Sequence, residues 1–151
     1  MLNKKRQEFR HTIRIPGNCG TVFMAFCPVA EREWIEGWES DIIFSESGIA
    51  EKNCVFKTSQ LNTPDAIWVC SIYDFGRQVE YVRVIPDHFV TVINILTEQT
   101  GEETACTVTF THTALSDDGA QAMKLQFNEE RFIEQIESWK TMVPIYVNNR
   151  R

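Results

Sequence analysis

The polar side chains best placed for chemistry are Glu80 and His112, because each interrupts an otherwise apolar alternating segment. A carboxylate enclosed by apolar residues must be paired, hydrogen-bonded or raised in pKa, and it can then bind a cation or act as a general base. An enclosed imidazole needs a hydrogen-bond partner, since leaving it unsatisfied costs about 1–3 kcal/mol. Each residue also has a structural interpretation: a glutamate at a strand end facing solvent, and a histidine bonded within the core.

Two further side chains, Ser71 and Tyr73, could orient a polar group of a ligand, although Tyr73 could equally be a rim residue. Glu80 and His112 fall on predicted strands two apart, so roughly 10 Å separates them at the usual strand spacing. That distance is too great for a direct acid–base dyad. No catalytic residue is therefore assigned from the sequence.

Other kinds of site have little support in the sequence. It contains no Gly-x-Ser-x-Gly elbow, no Walker loop and no Gly-x-Gly-x-x-Gly motif, so neither a serine nucleophile nor a nucleotide cofactor is indicated. The five cysteines are dispersed, odd in number and form no Cys-x-x-Cys pair, which argues against zinc or a disulfide framework and favours a reducing cytoplasm. His11 and His88 occupy predicted edge and turn positions, and no metal site is expected.

Charge and length narrow the class further. The 151 residues carry a formal net charge of −6, which disfavours nucleic acid as a partner because phosphate contacts need clustered basic residues. No segment approaches the roughly 20 apolar residues of a membrane span. We expect one domain over residues 1–151, with residues 1–7 as a flexible tail.

Four alternating segments joined by short turns predict consecutive antiparallel strands, namely Ala66–Asp74, Gln78–Ile85, Phe89–Thr100 and Glu103–Leu115. The register of a hairpin determines which side chains of its two strands share a face. Two-residue turns are predicted at Phe75-Gly76, Pro86-Asp87 and Thr100-Gly101. With these turns, the inward and outward positions of all four strands follow from one another. The concave face is then expected to hold Ile67, Val69, Ser71, Tyr73, Glu80, Val82, Val84, Phe89, Thr91, Ile93, Ile95, Val108, Phe110 and His112. The solvent face is expected to hold Trp68, Cys70, Tyr81, Arg83, Val92, Asn94, Thr107, Thr109, Thr111 and Thr113, with Arg83 over Trp68 as a cation–π pair.

Further strands are predicted at Phe9–Ile15, Asp41–Glu46 and Glu51–Ser59, and two short helices, Thr21–Phe26 and Ala30–Gly37, follow the first. The chain closes in a helical pattern from Asp117 to Val147. Ser116 is a good cap for its start, and Asn128 before two glutamates predicts that the main helix begins at about Glu129. Its apolar stripe consists of Phe132, Ile136, Trp139 and Val143, while Pro144 should kink or end the helix.

Strands first and a long helix last predict an α+β fold, with a curved antiparallel sheet of about seven strands around the C-terminal helix and two short helices after strand one. A curved sheet around one helix tends to leave an internal space. This order of elements therefore suggests a ligand cavity.

Three parts of the chain carry a resemblance to a known family: the pair of helices between Phe23 and Trp34, the segment from Phe110 to Gly119, and Trp139 in the last helix. With these features the chain resembles helix-grip proteins of the SRPBCC (START-like) superfamily. It is most similar to the branch typified by the activator of the heat-shock chaperone ATPase, although Ala114 and Ser138 stand where that branch often has glycine. The resemblance implies a lipid-, aromatic- or polyketide-like ligand in an internal cavity.

The leading hypothesis is a small hydrophobic molecule bound between sheet and helix, with a homodimer possible. The residues expected to bind it are Trp34, Tyr73, Glu80, Phe89, Ile93, Phe110, His112, Phe132, Ile136 and Trp139. One alternative is a cyclase, dehydratase or hydrolase that uses Glu80 or His112 in the same cavity. The other is an interaction protein that modulates a chaperone, which predicts an exposed apolar patch and no ligand-sized cavity.

Overall fold

The computed structural model describes residues 5–35, 37–59 and 64–150. Its elements in chain order are β1 (Arg6–Pro16), α1 (Cys19–Met24), a 3-10 helix (Ala30–Glu33), β2 (Glu39–Phe44), β3 (Val55–Ser59), β4 (Ala66–Asp74), β5 (Gln78–Ile85), β6 (Phe89–Thr100), β7 (Glu103–Ala114), α2 (Asp117–Gln126) and α3 (Glu129–Asn148). The predicted order of elements is confirmed. The second predicted helix is reduced to the four-residue 3-10 helix, and β1 begins inside the segment expected to be a tail.

Within the described residues, seven strands form one antiparallel sheet in the order β1-β7-β6-β5-β4-β3-β2. Neighbours from β2 to β7 follow each other in the chain, as expected of strands joined by short hairpins. β1 instead pairs with β7 along its whole length, from Arg6 opposite Thr113 to Pro16 opposite Glu103. The α1 and 3-10 segment therefore crosses from one edge of the sheet to the other. The predicted α+β helix-grip architecture is confirmed.

The β6–β7 hairpin has the predicted parity. Ile93 pairs with Phe110, and each is only 6% exposed on the concave face. Thr107, Thr109, Thr111 and Thr113 of β7 lie on the outer face, where the hydroxyls of Thr107 and Thr12 are 2.9 Å apart. The prediction of which β6 and β7 residues face the interior is thus confirmed.

The face predicted for β5 and most of β4 is wrong, because the loop between β5 and β6 holds three residues. Ile85 pairs with Phe89, which leaves Pro86, Asp87 and His88 in the turn. The favoured two-residue hairpin turns need a positive φ at their first central residue, and the proline ring locks φ near −65°. The turn therefore contains one residue more than predicted, and Asp87 adopts the left-handed conformation at φ 67°. One extra residue exchanges the two faces of the next strand.

A second correction concerns the β4–β5 hairpin. Its turn also contains three residues rather than two, since Asp74 pairs with Gln78. A bulge between Cys70 and Ile72 compensates for this extra residue. Trp68 therefore pairs with Arg83, as predicted. These two residues therefore face the interior rather than solvent, as does Tyr81, which is 3% exposed.

Glu80 lies on the outer face, contrary to prediction. Its carboxylate accepts hydrogen bonds from the Ser71 hydroxyl at 2.8 Å and the Asn94 amide at 3.2 Å. Ile67, which was expected inside, is 42% exposed. The interior positions of β4 and β5 are instead occupied by the neighbouring side chains, such as Trp68 and Tyr81.

The two C-terminal helices begin where the capping residues predict. The Ser116 hydroxyl accepts from Gly119 N at 2.9 Å at the start of α2, and the Asn128 side chain accepts from Arg131 N at 2.8 Å at the start of α3. Phe127, between the helices, has an extended backbone at φ −117° and ψ 125°. α3 continues past Pro144 to Asn148.

α3 lies on the concave face of the sheet, as its apolar stripe requires. The Phe132 ring stacks on Phe9 of β1 with centroids 5.7 Å apart, and the indole of Trp139 meets that of Trp34 edge-to-face at 5.7 Å. His11 of β1 is hydrogen-bonded to Glu137 of α3 at 2.9 Å. Aromatic contacts and the His11–Glu137 hydrogen bond thus stabilise the packing of α3 against the sheet and the 3-10 helix region. Among the described residues, no helix is both long and apolar enough to cross a membrane.

Candidate functional site

A cavity of about 280 Å³ lies between the concave face of the sheet and α3. Strands β3 to β7 form its floor, α3 and the α2–α3 junction form its roof, and the 3-10 helix region closes one end. Its lining residues are Glu31, Ile35, Trp38, Thr58, Pro64, Ala66, Trp68, Tyr81, Arg83, Ile85, Phe89, Ile93, Ile95, Phe110, Gln126, Phe127, Gln135 and Trp139. Pro64, Gln126 and Gln135 are exposed, so they mark where the cavity meets solvent.

A second, smaller cavity of about 170 Å³ adjoins the first. His112, Phe132 and Phe9 line it, together with Asn128 and Arg131 at the start of α3. The residues that line both cavities are Arg83, Phe110, Gln126, Phe127 and Gln135. The two spaces are therefore neighbouring compartments with a shared wall.

The structure brings together six of the ten predicted ligand-binding residues around these cavities. Phe89, Ile93 and Trp139 line the larger one, His112 and Phe132 the smaller one, and Phe110 both.

The other four lie elsewhere. Ile136 is fully buried in the core, and Trp34 packs beside Trp139 with its indole N–H donating to the Ala25 carbonyl at 2.7 Å. Tyr73 points inward but lies beyond the cavity, edge-to-face with Phe23, and its partial burial raises the pKa of the phenol. Glu80 is on the outer face. The predicted residues that do line the cavities thus come from β6, β7 and α3.

Arg83 is the cation on the sheet side of both cavities, and its predicted position on the outer face of the sheet is wrong. Its guanidinium carbon lies 5.5 Å from the centre of the Trp68 ring, and one terminal nitrogen donates to the Thr91 hydroxyl at 3.2 Å. Its Nε is buried without a hydrogen-bond partner. Burial lowers the pKa of Arg83 to about 10, so the side chain is still cationic at neutral pH.

Glu31 supplies a carboxyl group to the same cavity from the 3-10 helix. Burial raises its pKa well above the ordinary range. Tyr81 lies on the adjacent floor, where its hydroxyl donates to the Phe26 carbonyl at 2.7 Å. Burial raises the pKa of Tyr81 as well, with the Glu31 charge as the next contribution. The phenol is therefore a fixed neutral group.

His112 is held as a neutral imidazole. Its Nδ1 lies 2.7 Å from the Thr91 hydroxyl, and its ring stacks on Phe127 with centroids 3.9 Å apart. Burial, followed by the nearby Arg83 charge, lowers the pKa of His112 to about 3. The Thr91 hydroxyl accepts from Arg83 and is also hydrogen-bonded to Nδ1 of His112. The arrangement is a chain from Arg83 through Thr91 to His112, and it suits polar contact better than proton abstraction.

Four residues that line the cavity were not expected there from the sequence, each for a local reason. Arg83 and Tyr81 were assigned to the outer face by the one-residue error at Pro86, which the fixed φ of proline could have revealed. Phe127 lies in the break between two helical patterns, where periodicity gives no direction for a side chain. Glu31 comes from a segment too short for a helical face to be defined.

No protein-family model matches the sequence, and no curated protein does. Solved structures are similar over most of the chain. A hypothetical protein from Helicobacter pylori aligns with a TM-score of 0.68 at 8% identity, covering 96% of this chain and 88% of that one. Ara h 8.0201 aligns with a TM-score of 0.66 at 11% identity, covering 95% and 97%.

Norcoclaurine synthase from Thalictrum flavum, in complex with dopamine and hydroxybenzaldehyde, aligns with a TM-score of 0.64 at 6% identity, covering 91% of this chain and 86% of that one. At these identities the similarity shows the fold alone. Ara h 8.0201 and norcoclaurine synthase are helix-grip proteins of the START-like kind, and this chain shares their fold.

Proposed function

We propose that this protein binds a small hydrophobic molecule in the cavity between its sheet and α3. The cavity itself is the observation that carries the proposal. Protein interiors are close-packed and leave few voids larger than a water molecule, whereas this one leaves about 280 Å³ walled by aromatic and aliphatic side chains. Small-molecule sites occupy about 300–1,000 Å³ and combine apolar walls with a few polar groups. The volume lies just below that range and favours a compact aromatic or polyketide-like ligand over a long lipid.

The comparison structures support this choice of ligand class. Norcoclaurine synthase was solved with two small aromatic molecules, dopamine and hydroxybenzaldehyde, on the same fold. In the present chain, Trp68, Phe110 and Trp139 offer flat apolar surfaces on different walls of the cavity. The free cysteines among the described residues are compatible with the cytoplasmic location that we also propose.

The test has two measurements on the purified protein. Native mass spectrometry looks for a small molecule that co-purifies, and fluorescence titration measures the affinity for the neutral probe N-phenyl-1-naphthylamine. Ile93→Phe should fill the cavity and abolish probe binding. Leu96→Phe, on the outer face of the same strand and 41% exposed in the parent, should leave binding unchanged. No co-purified molecule and no cavity-dependent probe binding would contradict the proposal.

A second candidate is an enzyme of cyclase, dehydratase or hydrolase type acting in the same cavity. Glu31 favours it, since a carboxyl group in a cavity with a raised pKa has the character of a general acid or base. Glu80 is excluded from this role by its position. Glu31→Gln should then retain probe affinity and abolish turnover of a substrate found by mass spectrometry, while Glu80→Gln should retain both.

The third candidate is a modulator of the heat-shock chaperone ATPase, the finer branch suggested by the sequence. Exposed apolar side chains near the edge strand β2 favour it: Ile43 is 61% exposed, Phe44 60% and Ile49 37%. Stimulation of chaperone ATPase activity by the parent, lost in Phe44→Ser and kept in Ile93→Phe, would support this function over ligand binding.

A further inference from the structure

Arg83 is the charged side chain that projects from the sheet floor between the two cavities. It lines both of them, and its side chain is only partly exposed. Its strand neighbours toward the interior are Tyr81 and Ile85, so an arginine interrupts an otherwise apolar or neutral row. A cation in such a position requires a stabilising partner.

The hydrogen bonds between described residues leave most of the guanidinium donors free. Arginine has five N–H donors, and here one nitrogen bonds Thr91 while Nε has no partner. Trp68 covers part of the group at 5.5 Å. No carboxylate among the described residues forms an ion pair with it: Glu31 lines the same cavity without reaching it, and Glu80 points to the opposite side of the sheet.

We propose that the molecule bound in this cavity carries a carboxylate or similar acidic group, which pairs with the guanidinium of Arg83. This inference rests on the proposed binding function and specifies its ligand. The planar fork of arginine matches a carboxylate with two parallel hydrogen bonds, and the unpartnered Nε can donate one of them. The apolar body of the ligand lies against Trp68, Phe110 and Trp139, and its acidic group lies at the junction of the two cavities.

The neighbouring polar groups accord with an anion at this point. His112 is neutral and already bonded to Thr91, so it neither replaces Arg83 as a cation nor competes for it. The apolar rings of Phe127 and Phe110 line the shared wall beside Arg83 and lower the local dielectric constant, which strengthens an ion pair formed there. An acidic ligand would thus compensate a charge that no described residue pairs with in a salt bridge.

The experiment uses three probes with one aromatic body: 2-naphthaleneacetate, the neutral 2-(2-naphthyl)ethanol and the cationic 2-(2-naphthyl)ethylamine. Affinities are measured by calorimetry for the parent, Arg83→Met, Arg83→Lys and the surface control Arg14→Met, which removes an exposed cation of β1. We expect the parent to bind the carboxylate about tenfold to a hundredfold more tightly than the alcohol, the range of a charge-assisted hydrogen bond. Arg83→Met should abolish this preference, Arg83→Lys should keep part of it, and Arg14→Met should keep it in full.

The unliganded variants give an independent readout. If Arg83 serves the ligand, Arg83→Met should unfold at the same or a higher temperature than the parent, since it removes an unpaired buried charge. A lower unfolding temperature together with unchanged probe preference would assign Arg83 a purely structural role and overturn the inference. If Arg83→Met does not fold, Arg83→Lys and Arg83→Gln carry the same comparison.

The remaining outcomes distinguish failure of the acidic-ligand inference from failure of the proposed binding function. Equal affinity for the carboxylate and the alcohol overturns the role of Arg83 and leaves the hydrophobic binding site intact. Tightest binding of the amine overturns it in favour of Glu31 as the ionic partner. If none of the three probes binds, nor N-phenyl-1-naphthylamine, the proposed function fails and the acidic ligand fails with it.

Discussion

The imidazole of His112 and the ring of Phe127 lie face to face, with centroids 3.9 Å apart and planes inclined by only 4°. His112 belongs to β7, and Phe127 is the junction between α2 and α3. Phe127 also meets Phe89 edge-to-face at 5.2 Å. This contact closes the wall shared by the two cavities and holds the helical junction onto the sheet.

Replacing Phe127 should weaken the fold and enlarge the site. Phe127→Ala removes the stack on His112, and we expect it to lower the free energy of unfolding by about 2 kcal/mol, because the ring is only partly buried. It should also merge the two cavities and admit bulkier probes. Urea unfolding and probe titration measure both effects. Leu125→Ala, 70% exposed beside the same junction, should change stability by less than about 0.5 kcal/mol.

His112 should make the protein less stable as the pH falls. Its folded-state pKa is about 3 against an ordinary value of 6.5, so the unfolded chain takes up a proton that the folded protein excludes. Its contribution is complete above pH 6.5 and is lost as the pH falls toward 3. The slope from one such group approaches about 1.4 kcal/mol per pH unit.

Denaturant unfolding of the parent and His112→Gln, compared between pH 7 and pH 4, measures this slope. His112→Gln should flatten the pH dependence by on the order of 1 kcal/mol per pH unit. His88→Gln, in the turn before β6, should keep the slope of the parent. Equal slopes for the parent and His112→Gln would show that His112 is not protected from protonation.

Glu31 should have the opposite pH dependence. Its pKa is raised in the folded protein, so the stability it contributes is present below its ordinary pKa and is lost as the pH rises through the folded value. Glu31→Gln imitates the protonated acid. We expect it to raise the Tm at pH 7.5 by roughly 2–4 °C, the effect of about 1 kcal/mol in a chain of this length. The gain should disappear below pH 4.5, and exposed Glu39→Gln should show none.

Gly119, in the first turn of α2, is expected to tolerate no side chain. A Cβ at this position would lie 1.7 Å from the carbonyl oxygen of His88, and the turn backbone cannot move without disturbing the β5–β6 hairpin. Gly119→Ala should therefore cost about 2 kcal/mol or more. Thermal unfolding checks this against exposed Gln121→Ala, and similar Tm values for the two variants would contradict the packing described.

The sequence alone determined the features that depend on local chemistry. Alternation located β4, β5 and β6 to the residue, and the capping side chains of Ser116 and Asn128 located both helix starts. These signals lie within a few residues of the structure they specify. The parity of β6 and β7 also followed, because the turn between them contains an even number of residues, and so Ile93 and Phe110 were placed correctly.

The tertiary structure alone decided which polar groups enter the cavity. A single additional residue at Pro86 turned Glu80 outward and Arg83 inward, since a strand exchanges its faces with every shift of one position. Glu31 and Phe127 come from segments without a regular period. Only tertiary packing brings Glu31 into the cavity that Arg83 also lines and stacks Phe127 on His112. Periodicity specifies strands and helices one at a time, whereas the charge inside a cavity depends on the register between them.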